Sequence, residues 1–293
     1  MFVITGATGN IGKRIAEKLL SEGKQVKAIA RHQDKLADLR KKGAEIVVGE
    51  LSDAPLLAKA FKDAEGVFAM LPTNLAAEDV KSYQDKVGEA IAKAIADSGV
   101  KYVVNLSSLG AHLPSGNGPV AGLHRQEERL NAIKDVNVLH LRPAYFMENH
   151  FNGIPIIKGM GINGNPMRGD LKIPQIATQD IATHAALRLL KKDFKGKETQ
   201  ELLGQRDLSM DEATAILGKA IGKPDLKYVQ FPYEDALKGM VGAGLSPSVA
   251  ASMVEMVKGF NEGIMGKSTR TPANTTGTSF EAFAPVFASV YKQ

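Results

Sequence analysis

The segment Thr5-Gly6-Ala7-Thr8-Gly9-Asn10-Ile11-Gly12 restricts what this chain can fold into more than any other stretch. It follows a short β-branched run, Phe2 to Thr5, and precedes an amphipathic stretch with Ile11, Ile15 and Leu19 at helical spacing. A strand that turns at once into a helix needs a residue without Cβ in the turn. It needs a second where a pyrophosphate would approach the backbone, and a third where the helix packs on the strand. Gly6, Gly9 and Gly12 supply all three, and the helix N-terminus behind them offers unpaired N–H groups to an anion. An ordinary βα turn also uses glycine, but the strand-turn-helix context favours a dinucleotide loop, with Gly6, Thr8, Gly9, Asn10, Ile11 and Gly12 as candidate contacts.

The same alternation of short strands and longer amphipathic stretches runs through the first 140 residues. Strands are predicted at Phe2 to Thr5, Gln25 to Ala30, Glu45 to Val48, Gly66 to Met70, Tyr102 to Leu106 and Val138 to Leu141. Helical spacing is clearest in Val80, Tyr83, Val87, Ile91 and Ile95. Beyond about residue 142, Pro155, Pro166 and Pro174 with several glycines break the texture. Helical patterns resume at Thr178 to Leu190, Met210 to Ile221, Tyr233 to Val241 and Pro247 to Ile264, and Thr278 with Glu281 reads as the cap of a last helix. The expected fold is α/β: a Rossmann-type doubly wound parallel sheet over residues 1–150, with a smaller, mostly helical substrate lobe over 151–293, partly interleaved with it.

A chain of 293 residues, 44% hydrophobic and 24% charged, excludes a disordered or collagenous polypeptide. It has no cysteine, so redox work by thiols and Cys-ligated metal are excluded, and its six histidines show no ligand spacing. No apolar run approaches the roughly 18 residues of a membrane span, and Met1-Phe-Val-Ile-Thr reads as a strand, not a signal peptide. A cytoplasmic location is expected, with no membrane or nucleic-acid partner and a monomer or homodimer as the assembly. The net charge of +5 is spread over short runs such as Lys41-Lys42 and Lys191 to Lys197, as on a solvated surface.

Cofactor choice is read at the end of the second strand. An acidic residue there would bind the ribose 2'-hydroxyl; here stand Ala30-Arg31-His32, with Lys35 one turn later. Arg31 can pair bidentately with a 2'-phosphate, so NADP(H) is expected ahead of NAD(H). Glu50 and Leu51 should border the adenine, and Leu71, Pro72 and Thr73 the nicotinamide-side ribose.

The glycine spacing with its preceding threonine resembles the short-chain dehydrogenase/reductase superfamily. Most members carry a Tyr and a Lys four residues on, in a helix, with a Ser after the fifth strand. Asn105-Leu106-Ser107-Ser108 supplies that serine, but the helix Gly122 to Leu130 has no Tyr-x-x-x-Lys; His124 and Glu128 hold the matching positions. This departure, with Leu141-Arg142-Pro143-Ala144 and Ile176 to Ala182, resembles the NmrA-like branch of atypical short-chain reductases over nearly the whole chain. The resemblance implies activities from NADPH-dependent quinone and azo reduction to redox-sensing regulators without turnover, and it places Pro143 beside the cofactor.

Ser107, His124 and Glu128 are the candidate catalytic residues: Ser107 to orient a carbonyl, His124 to deliver a proton near neutral pH, Glu128 to orient His124. A structural bond from His124 to the loop Gly110 to Gly118 is the plain alternative. Tyr145, Phe146, Asn149 and His150 would line a pocket for a flat apolar small molecule, unless the segment only docks the lobe. The helix with Met253, Val254, Met256, Val257 and Phe260 reads as core packing, with a lid or a dimer face as functional alternatives. Three functions follow in order: an NADP(H)-dependent oxidoreductase for quinone-like, carbonyl or azo acceptors; a cofactor-sensing interaction protein; and a nucleotide-sugar epimerase.

Overall fold

A computed structural model of the chain describes residues 1–266 and 268–293. In chain order the first half runs β1 (Phe2–Ile4), α1 (Asn10–Ser21), β2 (Val26–Ala30), α2 (Ala37–Lys41), β3 (Glu45–Val48), α3 (Ala54–Phe61), β4 (Gly66–Met70), α4 (Val80–Ser98), β5 (Tyr102–Leu106), α5 (Val120–Asn131) and β6 (Asn137–Pro143). The second half runs β7 (Tyr145–Phe146), α6 (Ile154–Met160), β8 (Asn163–Asn165), β9 (Ile173–Ile176), α7 (Thr178–Lys191), β10 (Lys197–Leu202), β11 (Asp207–Leu208), α8 (Met210–Ala220), β12 (Tyr228–Gln230), α9 (Tyr233–Gly242), α10 (Pro247–Asn261) and α11 (Phe280–Tyr291).

Seven parallel strands form the central sheet in the order β10-β6-β5-β4-β1-β2-β3. Successive side chains of a strand point to opposite faces, and β1 shows it: Phe2 and Ile4 pack into one buried layer, Val3 into the other. The first layer holds Ile11, Ile15 and Leu19 of α1 against Ile181, Ala185 and Leu189 of α7. The second holds Leu57 and Phe61 of α3 with Val87, Ile91 and Ile95 of α4. The five inner strands are largely apolar because both of their faces are covered.

The sequence reading missed β10, which pairs with β6 from Lys197↔Val138 to Leu202↔Pro143. Its residues Lys-Glu-Thr-Gln-Glu-Leu are polar because an edge strand faces water along one side and carries charge that discourages further pairing. The run Lys191 to Lys197 thus spans the end of α7 and the start of β10, with Lys192 in left-handed backbone at φ 50°. Elsewhere β6 is longer than expected, and α10 stops at Asn261, where Gly263 at φ 74° turns the chain. The last helix is capped by Ser279, whose hydroxyl accepts from the Ala282 N–H, and not by Thr278, whose hydroxyl donates to Asp180. The lobe carries two small sheets, β11-β9-β7 and β12-β8, around a core of Met147, Ile154, Leu217, Phe280, Phe283 and Phe287.

Candidate functional site

The chain order of the sheet reverses between β1 and β4, and open α/β sheets bind ligands in the crevice at the carboxyl ends of such strands. Thr5 fixes that crevice: its buried hydroxyl donates to the Phe68 carbonyl at 3.0 Å and accepts from the Met70 N–H at 3.2 Å. Gly6 then turns at φ 62°, where a Cβ would lie 2.8 Å from the Met70 Sδ. A Cβ on Gly12 would meet the Gly6 carbonyl oxygen at 2.3 Å, so this position is set by helix-to-turn packing. Gly9 differs, since a Cβ there would touch only its own loop at 3.4 Å. Thr8, Gly9 and Asn10 are exposed and Ile11 is buried. Gly9 caps α1 without a capping side chain, and the first turn carries no acid. The backbone donors of that turn are free for an anion, which is the donor set a pyrophosphate needs.

At the end of β2, Arg31, His32 and Lys35 are all exposed; among the described residues no carboxylate pairs with Arg31 or Lys35. Across the cleft stand exposed Glu50 and buried Leu51. Between them lies Tyr83 of α4, which the sequence reading assigned only to a core stripe. Burial raises its phenol, while Arg31 lowers it and Glu50 raises it, so all three groups share one neighbourhood. Helical periodicity could not separate this tyrosine from its apolar neighbours. Leu71 is buried, Pro72 half-buried and Thr73 exposed after β4.

The serine after β5 is not free to orient a carbonyl by donation. Ser107 is 3% exposed and its hydroxyl donates to Glu127 Oε1 at 2.5 Å. Glu127, buried on α5, is held bidentately by Arg142 at 2.9 and 2.5 Å. Ser107 therefore keeps acceptor lone pairs but no free donor. Glu127 and Arg142 were not singled out by sequence; helical spacing from His124 points to Glu128 instead. Glu128 is 66% exposed and its Oε1 is 3.5 Å from His124 Nε2, a loose solvated pair. His124 Nδ1 lies 2.9 Å from the Ala111 carbonyl, so the structural bond to the 110–118 loop is made. A proton on Nδ1 donating to that carbonyl leaves Nε2 as the free nitrogen.

The wall after β6 divides. Pro143 is buried, its carbonyl accepting from the Leu109 N–H at 3.0 Å. Tyr145, Phe146 and Asn149 keep accessible surface. His150 does not face a ligand, contrary to expectation: its Nε2 lies 2.9 Å from Gln175 Oε1, and its ring stands edge-on to Phe280. Burial pushes its imidazole down to about 4. Glu148 caps α7, accepting from the Thr178 N–H at 3.1 Å and its hydroxyl at 2.5 Å.

Helix α10 lies across the loops that follow β4 and β5. The Ser246 N–H donates to the Leu75 carbonyl and its hydroxyl to that of Ala77, while the Ser248 hydroxyl accepts from the Val80 N–H. On the other side Glu255 accepts from the Gly116 N–H, and a Cβ on Gly118 would lie 2.1 Å from the Ser252 carbonyl oxygen. Among the described residues there is no cluster of metal-ligating side chains and no helix long and apolar enough to cross a membrane.

Known proteins share this architecture along its whole length. The chain is 28% identical over 285 residues to the (4-alkanoyl-5-oxo-2,5-dihydrofuran-3-yl)methyl phosphate reductase of Streptomyces griseus, covering 97% of this chain and 95% of that one. It is 28% identical to the NAD(P)H azoreductase of Xenophilus azovorans, covering 99% and 100%. The crystal structure of Citrobacter sp. triphenylmethane reductase complexed with NADP(H) superposes with a TM-score of 0.81 at 20% identity, covering 98% and 100%. The family model of the NmrA-like family matches residues 1–276, and the chain belongs to that family.

Proposed function

We propose that the protein is an NADP(H)-dependent oxidoreductase that reduces a flat, largely apolar acceptor such as a quinone, a conjugated carbonyl or an azo compound. The observation that carries this reading is the uncapped N-terminus of α1 behind Gly6-x-x-Gly9-x-x-Gly12, with Arg31 and Lys35 exposed after the neighbouring strand β2. When bound, NADPH supplies the hydride, which is the difficult part of the chemistry. The residues of the chain have simpler tasks. Backbone N–H groups of the first turn of α1, at Asn10 and Ile11, would hold the pyrophosphate. Arg31 and Lys35 hold the 2'-phosphate; Tyr83, Glu50 and Leu51 border the adenine; Leu71 to Thr73 and Pro143 flank the ribose and nicotinamide. His124 holds or returns a proton at Nε2. Of the reductases to which the chain is similar, one acts on a conjugated oxo-dihydrofuran that carries a methyl phosphate and another is an azoreductase, which supports conjugated acceptors.

The test is NADPH binding followed by NADPH oxidation against a panel of quinones, azo dyes and aldehydes. Saturable turnover with at least one acceptor is expected. A second reading, a cofactor-sensing protein, draws on the bonds from Ser246 and Ser248 to the loop after β4, which tie the cofactor-side backbone to α10. Tight NADPH binding with no turnover on any acceptor, and a partner whose affinity follows NADPH, would favour that second reading. Failure to bind NADPH would sink both. Epimerisation of a nucleotide sugar is least supported, since α5 has no Tyr-Lys pair for reversible alcohol oxidation.

A further inference from the structure

The reductase reading needs a group that meets the charge left on the acceptor. Adding a hydride to a quinone brings two electrons to the carbon framework; the π pair of one C=O moves to its oxygen, and the nicotinamide is left oxidised. That oxygen is anionic until it takes a proton from solvent or from His124. A fixed hydrogen-bond donor aimed at it stabilises the transition state more than the ground state.

Three side-chain donors near the candidate site are already spent within the protein. Ser107 gives its hydroxyl proton to Glu127. The His150 ring bonds to Gln175. Tyr228 donates to the Met167 carbonyl at 2.6 Å, within hydrogen-bond distance of Asn165 as well. Tyr145 stands apart. Two residues past Pro143, in β7, it packs against Met167, Ile173, Met210 and Val257, the last of these from α10, and Tyr228, Tyr233 and Phe260 pack against the same core. Its hydroxyl has no hydrogen-bond partner among the described residues, and the side chain keeps accessible surface. Burial alone pushes its phenol up to about 12. A phenol O–H that makes no bond to the protein and whose side chain keeps surface is free to donate to an oxygen of a ligand.

We propose that the Tyr145 hydroxyl is the donor that binds the oxygen on which negative charge develops, which selects acceptors whose reduction passes through an oxyanion. This rests on the reductase reading. The phenol stays protonated throughout: it donates a hydrogen bond and transfers no proton.

The experiment uses the full chain saturated with NADP+ and 4-nitrophenol as a chromophoric oxyanion probe. The wild type should bind the phenolate form and lower the probe's apparent pKa, seen as the yellow absorbance appearing at lower pH. Tyr145→Phe should abolish that shift and weaken phenolate binding at least tenfold, with thermal stability and NADP+ affinity kept. Tyr228→Phe, which removes a hydroxyl already bonded within the lobe, should lower stability but leave the probe's shift intact. With 1,4-naphthoquinone and NADPH, Tyr145→Phe should lower kcat by about 10² to 10³. A cationic triphenylmethane dye is neutralised by hydride and leaves no oxyanion, so its reduction should be much less affected. The proposal is overturned if the wild type does not bind the phenolate, or if Tyr145→Phe binds it equally well. Failure of the reductase reading looks different: a phenolate shift that depends on Tyr145, with no acceptor consuming NADPH.

Discussion

An aspartate at position 31 would set a carboxylate where an exposed Arg31 now stands at the end of β2. A charge-assisted hydrogen bond is worth about 1.5–3 kcal/mol, so Arg31→Asp should raise the Kd for NADPH roughly tenfold to a hundredfold while changing that for NADH far less. Equal effects in parallel titrations of the two cofactors would remove Arg31 from the phosphate site. Glu127 makes the complementary case inside the protein. Glu127→Gln leaves Arg142 without its charge partner, and breaking a buried pair costs about 3–5 kcal/mol; with Arg142 partly exposed, a loss near the lower end is expected in urea unfolding. A change within experimental error would mean that the pair is solvated. The placement of Ser107 at the end of β5 and of an exposed Arg31 at the end of β2 was legible in the sequence. Glu127 was not, because two adjacent glutamates look alike in sequence. The inward turn of Glu127 toward Arg142 is decided only when α5 packs against β6.

The glycines of the first turn can be separated by what each position faces. Gly12→Ala would drive a Cβ into the Gly6 carbonyl oxygen, and overpacking of this kind costs about 1–3 kcal/mol. Gly9→Ala meets no such obstacle, and Gly9 sits at φ −85°, which alanine accepts. The expected result is a normal melting temperature for Gly9→Ala with a large loss of NADPH affinity, and a lowered melting temperature for Gly12→Ala. If Gly9→Ala binds NADPH like the wild type, the pyrophosphate does not approach there. Of the six strands that sequence revealed, five lie inside the sheet and carry largely apolar runs, and the sixth, β3, is an edge that still reads Glu-Ile-Val-Val. At β10 an exposed edge carries the opposite composition, so hydrophobicity could not reveal it. The cap of α11 was misplaced by one residue because Thr278 and Ser279 are both competent caps, and only the pull of Asp180 on the Thr278 hydroxyl settles which serves.

Across the whole molecule, acid should unfold the protein earlier than its carboxylates alone would. His140 is buried between Asn105 and Asn131, and burial pushes its imidazole from 6.5 to about 4, as at His150. The folded pKa is depressed, so neutral imidazole is favoured in the fold: this stability is whole above about pH 6.5 and is lost as pH falls toward about 4. Each histidine contributes on the order of 3 kcal/mol across that window. Urea midpoints measured from pH 7 to pH 4 should fall steeply, and His150→Gln should flatten part of the slope. An unchanged midpoint over that range would contradict the burial of both rings. The path of the chain has a consequence of its own. After β6 it leaves the sheet, builds β7, β8 and β9 in the lobe, and comes back through α7 and β10 to cover α1 and complete the edge beside β6. A protease nick near residue 150 would thus yield two fragments that share one sheet. Each alone should be unfolded, and mixing them should restore the cofactor binding that neither keeps.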